Sequence, residues 1–528
     1  MNKLVLRKTL IGVGLVAALL LAYRAWGWNR MGDVNSLGLD LAKPDALIVT
    51  TSLSTLPRDL LTVPLARDLL REDFLFYYEQ TEDRLGLKGS LRRIAYEHEL
   101  AWGDQLLRMV LDQPADVALW RDADGSLKHY AIAVSRSKLT RLIEEAGKVA
   151  LKDTQMTLAG QLNVDGDKVN VYALQYAYQK TMLFVARGDR MVILSHPGML
   201  YGGSDHKDGD RASETVIGKL LAADKTKQQL FYPQFHLTPG VNRGHSIAVK
   251  ADFLSFGYQP FFGALQALRF DFDKGHWQSK VLIDAAKLNK SGYDSRALWQ
   301  ALPYNPAACV TVPVDWPATK ALFQRFGASE ATTLSDAFNG PAAACWYGSS
   351  RLHTPVFVGT LGKGADAAAR DKQLGAVFHT LVAGQGEAKK TAAAGVTRWQ
   401  RTVTTAMGDT TPTLALAGDT VVFSADAALV DQVLAVKAKR APAAADKLQD
   451  PAHVIGLIAP AALAQLIQAE ALDTLPAKEE AVLRAAADEH LVPRLNALKK
   501  YPPYRMVLKQ LPASGVAWQE LEWQAVPR

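Results

Sequence analysis

A chain of 528 residues with 48% hydrophobic and 21% charged residues has the composition of globular protein, and nothing in it reads as fibrous or disordered. Its net charge of +7 arises from 60 basic residues scattered among 53 acidic ones. No basic run exceeds Arg92-Arg93, Lys389-Lys390 or Lys499-Lys500, which argues against nucleic acid as a partner.

Residues 1–8 carry Lys3, Arg7 and Lys8, and the run from Thr9 to Tyr23 has no charge. Arg24 can snorkel, and Ala25, Trp26, Gly27 and Trp28 complete a membrane-spanning length, with the two tryptophans at interfacial positions. A cleaved signal peptide is the competing reading, but the best small-residue site, Ala25-Trp26-Gly27, has a tryptophan inside it. Basic residues before the helix favour a cytoplasmic N-terminus. The expectation is therefore a cytoplasmic tail at 1–8, a single-pass anchor at 9–28 in a bacterial inner membrane, a linker at 29–43 and a periplasmic body. That body exceeds one hydrophobic core and calls for two or more domains.

Along the body a faint long-period repeat emerges. Pro44 opens an apolar strand ending near Val49, and Pro306 opens another through Cys309 to Thr311. Pro114 to Trp120 leads through a polar turn to Tyr130–Val134 and a helix at about 138–149. Gly340 to Tyr347 leads likewise to Val356–Val358 and a helix near 365–382. Gly188-Asp189 and Gly418-Asp419 each sit between apolar runs as a two-residue hairpin signal. Closing strands are expected at 247–253 and 277–284, and at 454–458, 505–511 and 516–524. The predicted fold class is α+β: after the transmembrane helix, two tandem, duplicated modules of largely antiparallel sheet with helices on one face, at 44–300 and 301–528.

The repeat exposes what is not repeated. Pro44 and Pro114 are 70 residues apart, whereas Pro306 and Pro341 are 35 apart, so the first module carries a mostly helical insertion at about 73–111. It contains Phe74, Phe76, Tyr77, Tyr78, Arg92, Arg93 and Tyr96, an aromatic and basic set suited to partner binding. Filling of core is the competing account of the aromatics.

The stretches Glu72 to Tyr78, Asp83 to Leu87, Arg92 to His98 and Pro114 to Trp120 resemble an uncharacterised bacterial family known only as domain of unknown function 2138. The resemblance covers most of the body and brings no activity and no site residues. It implies one partner, because some members are encoded near bacterial α2-macroglobulin-like proteins that trap proteases in the periplasm.

Motifs for chemistry do not survive inspection, and no catalytic, cofactor or metal site is expected. Ser135-Arg136-Ser137-Lys138 fits S-x-x-K, but no K-T-G or S-D-N accompanies it. In Gly244-His245-Ser246 the serine precedes a strand, the reverse of a nucleophile elbow. Asp122/Asp124 and Asp165/Asp167 read as hairpin turns. The loop from Gly202 to Asp210 holds three carboxylates and a histidine, yet has the composition of a solvated loop.

Two cysteines, Cys309 and Cys345, are too few for a disulfide scaffold and have no zinc-ligand spacing. They fall on predicted neighbouring strands, where a disulfide and two separate buried thiols both remain open. The functional expectation is a membrane-tethered binding or scaffold protein acting with an envelope protein. The alternatives are an envelope hydrolase using Ser135, Lys138 and His98, and a lipid or lipoprotein carrier.

Overall fold

The computed structural model describes residues 39–526 apart from 54, 65–112, 122–126, 136–155, 178–179, 202–211, 225, 239–243, 255–261, 289–292, 326–330, 363–365, 384–385, 406–407, 474–480, 482–483 and 486. The expected anchor (9–28), the helix at 138–149 and the insertion at 73–111 with Phe74, Phe76, Tyr77, Tyr78, Arg92, Arg93 and Tyr96 all lie outside these residues. No helix among the described residues is long and apolar enough to cross a membrane.

The strands of the first half are β1 (Ala46–Thr50), β2 (Ala115–Arg121), β3 (Leu127–Ser135), β4 (Met156–Val164) and β5 (Asp167–Ala177). They continue with β6 (Lys180–Arg187), β7 (Arg190–Leu194), β8 (His245–Lys250), β9 (Leu265–Asp273) and β10 (His276–Asp284). The second half opens with β11 (Ala308–Pro313), β12 (Phe338–Trp346), β13 (Val356–Leu361), β14 (Lys389–Ala393) and β15 (Val396–Gln400). After a separate small hairpin of β16 (Val403–Thr405) and β17 (Gly408–Thr410) come β18 (Thr413–Ala417) and β19 (Thr420–Ser424). The chain ends on β20 (Val454–Ile458), β21 (Tyr504–Val507) and β22 (Val516–Ala525).

By compactness the chain divides into one unit of residues 1–44 and 85–233 and another of 45–84 and 234–528. These units do not part at residue 300, because β10 pairs with β22, Lys280 opposite Glu520, and this pairing draws β1, β8, β9 and β10 into the second unit.

In the first unit the strands run β2-β3-β7-β6-β5-β4, every neighbour antiparallel. Two turns set the registers. Asp165 and Gly166 both take positive φ (50° and 89°), as a type I′ turn requires between Val164 and Asp167. Gly188 alone does so (59°) in the turn between Arg187 and Arg190, the type II′ pattern. The helix Ala212–Leu221 packs Ile217, Leu220 and Leu221, each 1% exposed, over β4 and β7.

In the second unit the antiparallel order is β1-β8-β9-β10-β22-β21-β20-β11-β12-β13-β19-β18-β15-β14. Its stretch β12-β13-β19-β18-β15-β14 follows the same plan, strand for strand, as β2-β3-β7-β6-β5-β4. Likewise β11-β20-β21-β22 follows β1-β8-β9-β10. The turns match as well: Ala394-Gly395 (φ 50° and 76°) joins β14 to β15, and Gly418 (φ 63°) joins β18 to β19.

Helices close the second unit's cores. Asp426 caps Ala427–Lys437 by accepting from the Ala428 N–H at 2.9 Å, and the helix buries Leu429, Val430, Val433 and Leu434 at helical spacing. They meet Trp299, wholly buried, whose indole N–H donates to the Val454 carbonyl at 2.8 Å. Truncating Trp299 to Ala would cost about 3–5 kcal/mol at such a site. A second core forms where the helix Ala367–Phe378 sets Leu374 and Phe378 against Trp399 and Leu414. Gly375 is required there, because a Cβ would lie 2.9 Å from the Trp399 indole nitrogen.

Candidate functional site

A strand that alternates faces should put polar side chains on its wet side, so polar groups buried in the strand plan stand out. Among the described residues of the first unit, such a cluster gathers around the buried Arg190. Asp116 on β2, Ser135 on β3 and Arg190 on β7 share a sheet face, since Asp116 pairs with Ala133, Ala133 with Val192 and Ser135 with Arg190. The segment after the helix Ala212–Leu221 covers them with Tyr232, whose hydroxyl donates to Asp116 Oδ1 at 2.9 Å.

Arg190 is 9% exposed. Its Nε donates to the Leu220 carbonyl at 3.3 Å and its Nη1 to the Ser135 hydroxyl oxygen, while Nη2 is buried with no hydrogen-bond partner among the described residues. Burial raises the Asp116 carboxyl above its ordinary value, opposed by the Tyr232 hydrogen bond and the Arg190 charge. Burial also lowers the Arg190 guanidinium, with Asp116 and Asp189 acting the other way, and burial raises the Tyr232 hydroxyl.

This geometry bears on Ser135 as a nucleophile. Its oxygen accepts from a guanidinium, which cannot act as a base, so the contact does not activate it. Lys138 and His98 lie outside the described residues.

The second unit holds a different cluster. His245 Nε2 lies 3.0 Å from Asp59 Oδ2 and His245 Nδ1 lies 2.7 Å from Thr50 Oγ1, with Phe272 tilted against the ring at 5.0 Å. Connectivity alone would make this an acid, base and nucleophile set. Burial decides otherwise: Thr50 and His245 are each 3% exposed and Asp59 is 5% exposed. Thr50 Oγ1 is further tied to Ser52, donating to its carbonyl at 2.8 Å and accepting from its N–H at 3.1 Å. The trio pins the helix Leu56–Leu60 to β1 and β8. The adjoining Ser246 accepts from Arg269 Nε at 2.9 Å, and Gly244 passes so close to Phe272 that a Cβ would sit 2.6 Å from its carbonyl.

From His245 and Phe272 an aromatic row crosses the same face of the second unit. Phe270, Trp277, Trp523 and Tyr504 follow on β9, β10, β22 and β21, with ring centroids 5.4 to 6.4 Å apart. The Trp523 indole donates to Ser279 at 3.2 Å. Trp277 is 42% exposed and Leu268 on the same face 38%, so the middle of this row meets solvent.

Other residues singled out in the sequence have plain positions. Asp165 and Asp167, at calcium-like spacing, both receive Arg187, at 2.7 and 2.8 Å, and form an ion-paired hairpin. Cys309 and Cys345 face each other across β11 and β12, wholly buried, and their sulfurs are joined. No cluster among the described residues gathers three metal-ligating side chains. Sequence reasoning passed over Asp116, Arg190, Tyr232, Asp59 and the Trp277 row. For the first cluster the signal was present in the repeat itself, where Asp116 aligns with Ala343.

A mostly antiparallel sheet protein with buried polar groups in its first half is what the fold and these clusters define. The chain belongs to a bacterial family described as uncharacterized protein conserved in bacteria (DUF2138), matched over residues 7–525. It is 32% identical over 556 aligned positions to the uncharacterized protein YfaA of Escherichia coli (strain K12), covering 98% of this chain and 97% of that protein. Among solved structures, crystal form III of TP0453 aligns with 48% of this chain and 82% of its own, at 12% identity and a TM-score of 0.20. Crystal form I aligns with 75% and 97%, at 8% identity and a TM-score of 0.17.

Proposed function

We propose that this protein is a membrane-tethered binding or scaffold protein of the bacterial envelope, held in the inner membrane by residues 9–28 with its bulk in the periplasm. Its body is a duplicated α+β plan with helices on one face of each sheet, and it acts through surface recognition of an envelope protein such as an α2-macroglobulin-like protease trap. The observation that carries this reading is the aromatic row at the β10–β22 joint, with Trp277 42% exposed on a broad sheet. Large, rigid aromatic side chains on a continuous sheet supply contact area at little conformational cost. The matching strand orders and hairpin turns support the duplication.

The test is crosslinking in intact cells followed by mass spectrometry, comparing the whole chain with Trp277→Ala and with a variant lacking residues 73–111. Capture of a defined envelope protein, reduced in either variant, is the expected result. Equal capture by all three would remove both surfaces from the reading. External protease applied to spheroplasts checks the topology: the body should be digested, and a protected body would contradict the periplasmic placement.

A further inference from the structure

We propose that Arg190 and Ser135 form a binding site for a small oxyanion, the carboxylate or phosphate group of a larger ligand. A guanidinium nine-tenths buried needs compensation for the water it loses. Among the described residues Arg190 forms no ion pair, and Nη2 has no hydrogen-bond partner. Asp116, the carboxylate whose charge acts most on Arg190, accepts from the Tyr232 hydroxyl and makes no hydrogen bond to the guanidinium among the described residues. The C-terminal carbonyl of Leu220 offsets part of the charge through Nε and leaves the far side of the fork unanswered.

The second half shows that the strand plan does not require this arrangement. Ser135 faces Arg190 across β3 and β7 as Thr360 faces Thr420 across β13 and β19. Asp116 faces Ala133 as Ala343 faces Val358. The positions of Asp116, Ser135 and Arg190 are thus filled in the other half by Ala343, Thr360 and Thr420. There a threonine, 4% exposed, fills the arginine's place with its hydroxyl on Asp419. A buried cation in one half of a shared strand plan, with one of its nitrogens unanswered among the described residues, points to a ligand.

Ser135 supplies the approach. It sits half-buried at the end of β3, and since its oxygen accepts from Arg190 Nη1, its own proton is left to donate. The hydroxyl proton and Arg190 Nη2 then offer two donors from neighbouring points, the pattern that pairs with two oxygens of a carboxylate or phosphate.

Full-length protein in detergent is titrated with sodium acetate and, separately, inorganic phosphate, against sodium chloride at matched ionic strength, with thermal unfolding and calorimetry as readouts. At least one oxyanion should raise the unfolding temperature saturably beyond the chloride control. Arg190→Gln should abolish that rise, and Ser135→Ala should weaken the affinity about tenfold, the worth of one hydrogen bond. A response to acetate alone assigns a carboxylate ligand, and one to phosphate alone a phosphate ligand. No saturable rise in the wild-type protein, or one that survives unchanged in both variants, overturns the proposal. Should Arg190→Gln fail to fold, Ser135→Ala still decides. The outcome is independent of whether an envelope protein is captured through the Trp277 face.

Discussion

Where the first half of the chain sets the half-buried Asp116 and Ser135 around the buried Arg190, the second half places Ala343, Thr360 and Thr420 at the same points of the same strand order. A second substitution of this kind runs alongside. Counting along paired strands, Thr50 and His245 correspond to Val312 and Val454, so the two strand members of the hydrogen-bonded trio are aliphatic in the other half. Backbone pairing and hairpin turns are therefore enough to specify the sheet. The polar groups are additions to it, retained in one half at the cost of desolvation.

The sharpest way to break that comparison is to move the charge. Thr420→Arg would bury a guanidinium in the second half without an Asp116 beside it, and is expected to cost about 3–5 kcal/mol in urea unfolding. A near-neutral result would show that the second half also has means to hold a cation. Next in size is the bond that only the second half possesses. Cys309 and Cys345 close a loop of sequence separation 36, so reduction should lower stability by up to about 4 kcal/mol on chain-entropy grounds. Alkylation under non-reducing conditions with mass spectrometry checks the premise, since two free thiols would remove it.

Asp116→Ala alone should cost about 1–3 kcal/mol, by leaving the Tyr232 hydroxyl without its acceptor and removing the carboxylate whose charge acts most on Arg190. The double change Asp116→Ala with Arg190→Thr, which writes the second half's residues into the first, should recover most of it, to within about 1 kcal/mol of the parent. Additive costs in this cycle would mean that the two side chains do not compensate one another.

The smallest effect is on pH. The Asp116 carboxyl titrates above its ordinary 3.8 in the folded state. Below 3.8 both states hold the proton. As pH rises from 3.8 through the raised value, the unfolded chain releases its proton first, so the contribution of Asp116 to stability is lost across that window. Denaturation of the parent measured against the double variant should show this difference falling with pH, and a rising difference would reverse the assignment.

Much of the sheet was legible because turns and prolines punctuate it. Gly188-Asp189 and Gly418-Asp419 mark hairpins by needing a glycine at positive φ, and Pro44, Pro114, Pro306 and Pro341 stand at or near strand starts. Hidden strands lacked the usual composition. β14, Lys-Lys-Thr-Ala-Ala, is exposed throughout as the edge of its sheet, where lysines guard against pairing with other chains, and it offers no apolar alternation to read. β4 likewise exposes Thr157 to Gln161 at the other unit's edge. The buried clusters were illegible for a different reason. Asp59 and His245 are separated by 186 residues and Asp116 and Tyr232 by 116, and spacing along the chain carries no sign of such meetings.

The pairing of β10 with β22 has a consequence for biogenesis. Residues 276–284 leave the ribosome long before residues 516–525 exist, so β10 must wait for more than 200 further residues with one hydrogen-bonding edge open. Long-range closure of this kind is slow, because the entropy of the loop is spent before the contacts return it. Until β22 arrives, Trp277 and its neighbours on β9 and β10 border an unpaired strand, the combination that invites aggregation. A chain arrested before residue 516 should therefore depend on holding chaperones in a way the finished protein does not, and β22 serves as the latch that ends that dependence.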